Sequence, residues 1–201
     1  FETGANIGRY AGNSAENYED YWVGADGRFD ISPKSNLFAG SRYSRNHEER
    51  ESPDDIVGTE PTAFDLINSY AGGFHRFDQL AVRIGGTHRK YDFEDTPALA
   101  GNINNDDRDR NQYTGGANVS YRFTNAYRAF VEGATDIRRY NSSVDDNGFN
   151  RDSDGYRLSA GVRFDRETVK GRVFAGYMKQ EYDDPALSDV GAPTVGGNLR
   201  V

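Results

Sequence analysis

Residues 113–140 read YTGGANVSYRFTNAYRAFVEGATDIRRY, two runs that alternate residue by residue on either side of Thr124-Asn125-Ala126. One parity carries Tyr113, Ala117, Val119, Tyr121 and Phe123, then Tyr127, Ala129, Val131 and Ile137. The other carries Gln112, Asn118, Arg122, Arg128, Glu132, Asp136 and Arg138. Successive side chains of a strand point to opposite faces, so the stretch predicts a two-faced hairpin. Its oily face begins and ends in aromatics. Its other face holds charges that a dry core would accept only with dense pairing. A fold for this chain must therefore give one face water and the other face an apolar surrounding.

The same alternation runs through the chain, and no convincing helical period interrupts it. It predicts ten strands, at about 2–10, 18–31, 36–47, 62–75, 79–92, 109–123, 127–140, 155–165, 168–182 and 193–201. Connectors alternate in length. The short ones are Ser32-Pro33-Lys34-Ser35, His75 to Asp78, Thr124 to Ala126 and Asp165 to Glu167. The long ones, 11–17, 48–61, 93–108, 141–154 and 183–192, are polar and acidic, with runs such as HEERESPDD and NINNDDRDR. An up-and-down meander with one plain end and one decorated end is the pattern of an outer-membrane β-barrel. Several of these strands run 12–15 residues, beyond the roughly 5–6 usual in soluble sheets and enough to cross a bilayer at a tilt.

Assigning the oily parity to lipid places Tyr21, Val23, Ala25, Phe29 and Ile31 outward, followed by Phe64, Leu66, Tyr70 and Phe74. Leu80, Val82, Ile84, Val119 and Val131 continue the face, as do Tyr156, Leu158, Ala160, Val162 and Phe164, then Val169, Val173, Ala175 and Tyr177. Eight to ten residues at a tilt near 40° rise roughly 20–25 Å, an apolar band with aromatics at each interface. The opposite parity lines a water-filled interior. It carries Asp26, Arg28, Asp30, Arg42, Arg83, Arg89, Arg122, Arg128, Glu132, Asp136, Arg138, Arg157, Arg163, Lys170 and Arg172, with Trp22 and Phe130 among them. Aligned charges of this kind select charged or sugar solutes in a pore; the alternative is that arginine–carboxylate pairs fill a narrow barrel.

Composition fits this reading. Hydrophobic residues are only 35% and charged residues 28%, with a net charge of −8, because only every second residue of a barrel span must be apolar. Aromatics at 13%, 23 Gly and 6 Pro argue against disorder. There is no Cys, hence no disulfide framework or thiolate metal site. No apolar run approaches the length of a membrane helix. The acidic balance argues against nucleic acid as a partner. The chain begins at Phe1, from which a processed or trimmed N-terminus is expected, and it stops in mid-alternation at Leu199-Arg200-Val201. The expectation is one β-barrel domain over 1–201 that belongs to a longer barrel or lacks its last strands.

Other candidate sites are weak. Asn150-Arg151-Asp152-Ser153-Asp154-Gly155 imitates the start of a calcium loop, but the place of the closing Glu is Val162; a solvated acidic loop, able to meet lipopolysaccharide phosphates through divalent ions, is the preferred reading. His47, His75 and His88 have no metal-ligand spacing. No Ser–His–Asp grouping is legible. No catalytic, cofactor or metal residue is therefore assigned, and no enzyme is expected. The competing fold is a soluble antiparallel sheet or sandwich, and the competing soluble function is carbohydrate binding.

The segment 149–201 carries Arg151-Asp152-Ser153-x-x-Tyr156, then Gly161-Val162-Arg163-Phe164, a short turn, Gly176-Tyr177 and Tyr182-Asp183-Asp184, followed by VGGNLRV. This resembles the β-barrel porin type 2 family of Gram-negative outer-membrane proteins. The resemblance covers about the last quarter of the chain and implies a barrel in the outer membrane, embedded among lipid and lipopolysaccharide. Because members often belong to exopolysaccharide-export loci, it also implies passage of polysaccharide or small solutes. The family has no agreed catalytic residues. A plugged structural or adhesive barrel, whose acidic loops hold a partner, a surface layer or a neighbouring subunit of an envelope assembly, is the second expectation.

Overall fold

A computed structural model describes residues 1–50 and 58–200. Val201 and the acidic run at 51–55 of the predicted 48–61 connector lie outside the described residues. The strands are β1 (Glu2–Gly8), β2 (Tyr18–Ser32), β3 (Ser35–His47), β4 (Ala63–Phe77), β5 (Leu80–Phe93), β6 (Thr96–Ala98), β7 (Gly101–Ile103), β8 (Arg110–Arg122), β9 (Tyr127–Tyr140), β10 (Ser153–Asp165), β11 (Lys170–Tyr182) and β12 (Val190–Arg200). All but β6 and β7 form one ten-stranded sheet in chain order, each strand antiparallel to its predecessor. The ten expected strands are all present, most within two residues of their predicted ends.

The extra pair, β6 and β7, forms a small hairpin inside the long connector between β5 and β8. Its three-residue strands are too short to show a period. Gly101, in the left-handed region at φ 124°, turns the chain back. The second difference is the turn expected at His75 to Asp78. Pairing continues through Arg76↔Ala81 and Phe77↔Leu80, so the connection shrinks to Asp78-Gln79. Asp78 adopts φ 52°, a conformation that Asp tolerates better than most residues.

All short connections lie at one end of the sheet and all long ones at the other. β1 pairs only with β2 and β12 only with β11, so the pairing leaves two open edges.

The buried residues identify the concave side. Asn36, Ser44, Ala81, Ser120, Phe130, Ser153 and Ser159 are buried, and the register puts all of them on the charged parity. On the oily parity Phe29, Ile84, Leu158 and Val173 are exposed, Leu158 at 58% and Val173 at 51%. The sheet therefore curls with its charged parity inward and leaves a row of large apolar side chains exposed outward, the reverse of a soluble sandwich. Close approach shapes the inside: a Cβ on Gly72 would stand 2.5 Å from the Phe38 ring, so glycine there seats the ring against the backbone.

Candidate functional site

Register decides which side chains share a surface. On the outer face Val119 pairs with Val82 and Val131, Val131 with Ala160, Val162 with Val173, and Leu158 with Tyr177. Leu80, Ile84 and Phe29 lie on the same parity through Tyr121, Ala117 and the rung Phe29↔Leu37↔Gly73↔Ile84, and Val23 joins through Tyr43. These residues, predicted outward from the alternation, thus share one face.

Phe64, Leu66, Tyr70 and Phe74 do not. Register pairs them with Phe93, Tyr91, Thr87 and Arg83, all on the inner face, which corrects the outward assignment of this strand. The outer parity of β4 is instead Ala63, Asp65, Ile67, Ser69, Ala71, Gly73, His75 and Phe77. The aromatics turn inward because room exists there: a Cβ on Gly40, directly across from Tyr70, would lie 2.8 Å from its ring.

The charged residues predicted for the interior also share one face. Arg28 and Arg42 reach it on β2 and β3, and Arg83 on β5. Arg122, Arg128, Glu132, Asp136, Arg138, Arg157, Arg163 and Arg172 continue it across β8 to β11. Toward the long connectors the charges are paired. Asp136 accepts hydrogen bonds from Gln112 Nε2 at 2.5 Å, Thr114 Oγ1 at 3.2 Å and Arg138 Nε at 2.9 Å. Glu132 faces Asn118 at 3.4 Å and Arg157 at 3.8 Å. Arg42 lies 5.0 Å from the Trp22 ring centre and 3.7 Å from Glu2. Toward the short turns Arg28 pairs with Asp30 at 2.7 Å, whereas Arg83 lies over the Phe38 ring at 4.9 Å. Thr114 and Phe38 were not among the predicted interior residues; each lies on the charged parity, but nothing in a single strand marks which neighbour it meets.

Residues at the start of the connector after β3 and in those between β5 and β8 and between β9 and β10 meet this face. They bound a cavity of about 660 Å³ lined by Glu48, Phe93, Asn105, Arg108, Arg138 and Tyr140 among others. Arg108 pairs with Glu48 across 60 residues of chain and lies 4.2 Å over Phe93. Asn105, only 1% exposed, donates to the Glu94 carbonyl at 2.8 Å and to Thr96 Oγ1 at 3.0 Å. These buried polar groups are satisfied, so the cap is an ordered structure.

Asp145 organises the connector between β9 and β10. Its carboxylate accepts the backbone N–H groups of Phe149 and Asn147, each at 2.9 Å, and Arg151 Nε at 2.6 Å. The Phe149 N–H, helped by the Arg151 guanidinium, holds this carboxyl below the usual Asp range although burial opposes it. A depressed folded value means stability that is complete above the ordinary Asp pKa of about 3.9 and is lost as pH falls through the folded value. Hydrogen exchange of 145–151 should therefore stay slow at neutral pH and accelerate only in strong acid. Asp145→Ala should make it fast at neutral pH. Protection in that variant equal to wild type would contradict the assignment.

The calcium-like segment is otherwise engaged. Asp152 accepts the Tyr140 N–H at 2.7 Å, Asp154 holds Arg139 at 2.8 Å on the outer parity, and Ser153 is buried on the inner one. The histidines are apart: His47 meets Asp20 at 2.9 Å, His75 meets Ser35, and His88 meets Asn111 at 2.9 Å and stacks on Tyr113. Among the described residues no three potential ligands gather for a metal ion.

The arrangement can hold water and ions against a charged concave wall and present hydrocarbon to a surrounding apolar phase. A comparison with curated proteins found no match. The model of one family, described as Putative beta-barrel porin 2, matches residues 1–200. With nearly every residue covered and an all-antiparallel up-and-down sheet of long two-faced strands, the chain belongs to this β-barrel porin family.

Proposed function

We propose that the chain forms the wall of an outer-membrane pore or export conduit, passing small solutes or polysaccharide without chemical change. The observation that carries this is the separation of faces across the whole sheet, with exposed aliphatic and aromatic residues on one parity and the charged side chains on the other. Lipid and lipopolysaccharide would surround the first and water fill the second. Backbone groups cannot stay unpaired in hydrocarbon, so this reading requires the open edges of β1 and β12 to be paired in the bilayer, with one another, with further strands or with another copy.

Planar-bilayer recordings test it. Steady single-channel openings are expected, and exchanging Arg128 and Arg138 for Glu should move the reversal potential in a salt gradient toward cation selectivity. Stable insertion without openings would reject the conduit. It would favour a second reading, a closed barrel of structural or adhesive role, for which the ordered cap around Asn105 and Arg108 is the supporting observation.

A further inference from the structure

Four arginines occupy one rung of the inner face. Arg122 of β8 stands opposite Arg128 of β9, Arg128 opposite Arg163 of β10, and Arg163 opposite Arg172 of β11. Like charges directly opposed on neighbouring strands destabilise a sheet. At a strand spacing of roughly 4.8 Å the row spans about 14 Å. Arg76 of β4 adds to the positive field felt by Arg128.

Nothing in the described protein balances this row. None of the four guanidinium groups has a hydrogen-bond or ion-pair partner among the described residues. Asp165, two residues beyond Arg163 on the same face of β10, is engaged by Lys170 at 2.9 Å. Aromatic faces support two of the four instead. Arg163 lies 5.3 Å over Phe130, and Arg172 lies 4.9 Å over Phe174 and 6.0 Å over Phe130. A ring face holds a guanidinium plane without consuming its N–H donors. Phe130 is itself fixed, only 4% exposed and seated on Gly161.

We propose that the rung Arg122–Arg128–Arg163–Arg172 is an anion-binding step of the interior that takes a solute carrying several carboxylate or phosphate groups. This deepens the pore reading and rests on it only for the route by which the solute arrives. A neutral sugar would leave four opposed charges uncompensated. A single small ion would answer only part of a row this long. The other half of the interior differs, because Asp136 and Glu132 already accompany Arg138 and Arg157 there.

The test is calorimetric titration of the full chain in detergent micelles with an oligogalacturonate, with tripolyphosphate and with uncharged maltotriose. Binding of one or both polyanions is expected, weakening with salt, and the two titrations separate a carboxylated saccharide from a polyphosphate source. Maltotriose should not bind. Arg128→Gln with Arg163→Gln should weaken polyanion binding about tenfold for each arginine removed, the loss of a charge-assisted hydrogen bond. Arg28→Gln, on the same face but already paired, should bind as wild type. Without ligand, Arg128→Gln should melt higher than wild type, since it relieves like-charge opposition. Equal binding of maltotriose, wild-type polyanion affinity in the double variant, or a lower ligand-free melting temperature for Arg128→Gln would each overturn the proposal. Polyanion binding in micelles with silent bilayers would retain the rung and reject the conduit; openings without polyanion binding would do the reverse.

Discussion

Leu158→Arg should destabilise the protein in lipid by about 2–4 kcal/mol, the penalty for arginine near the bilayer midplane of a barrel. Leu158 lies between the outward aromatics Tyr156 and Phe164 of β10 and is 58% exposed. Its neighbour Arg157 carries the same guanidinium one residue earlier, where it faces the interior and meets Glu132 at 3.8 Å. Two adjacent positions of one strand therefore have opposite tolerances for one side chain. A solvent-exposed outer face in a globular protein would accept the change within about 0.5 kcal/mol. Urea unfolding from phospholipid vesicles measures the difference, and a midpoint equal to wild type would remove the hydrocarbon from the outer face.

Gly161→Val is the second large effect, expected at about 1–3 kcal/mol or more from overpacking. A Cβ there would stand 2.2 Å from the Val173 carbonyl oxygen and 2.9 Å from the Phe130 ring. The backbone contact is the decisive one, because a ladder carbonyl cannot move without breaking its strand. Gly27→Ala offers the contrast, since a Cβ there meets nothing within 4 Å; it should be neutral. The same urea titration at constant slope reads both, and equal midpoints for the two variants would contradict the packing described. Because Phe130 supports Arg163 and Arg172, Gly161→Val should also weaken polyanion binding, although the residue touches no ligand.

Much of this architecture was legible in the residues. The hairpin at 113–140, the short and long connectors and the interior arginines of β8 to β11 all follow from strict period-two alternation, which belongs to each strand separately. β4 was misread for a physical reason. Its Phe64, Leu66, Tyr70 and Phe74 form the oilier parity, so alternation alone sent them outward. Neighbouring register sent them inward, over Gly40 and beside Phe38 and Phe93. An interior that mixes rings with charges breaks the equation of oily with outward. The hairpin of β6 and β7, the Asn105 bonds and the Asp145 loop were invisible because the long polar connectors carry no period and the partners that fix them cannot be read from a single stretch.

Alternation and connector length, both local properties, determined from the sequence alone that this chain is a meander of two-faced strands with one plain and one decorated end. Tertiary structure alone decided which face β4 presents and that four arginines from four strands stand in one line. Strand register depends on both partners and on the turn between them, and shifting it by one residue would exchange the faces and scatter the row.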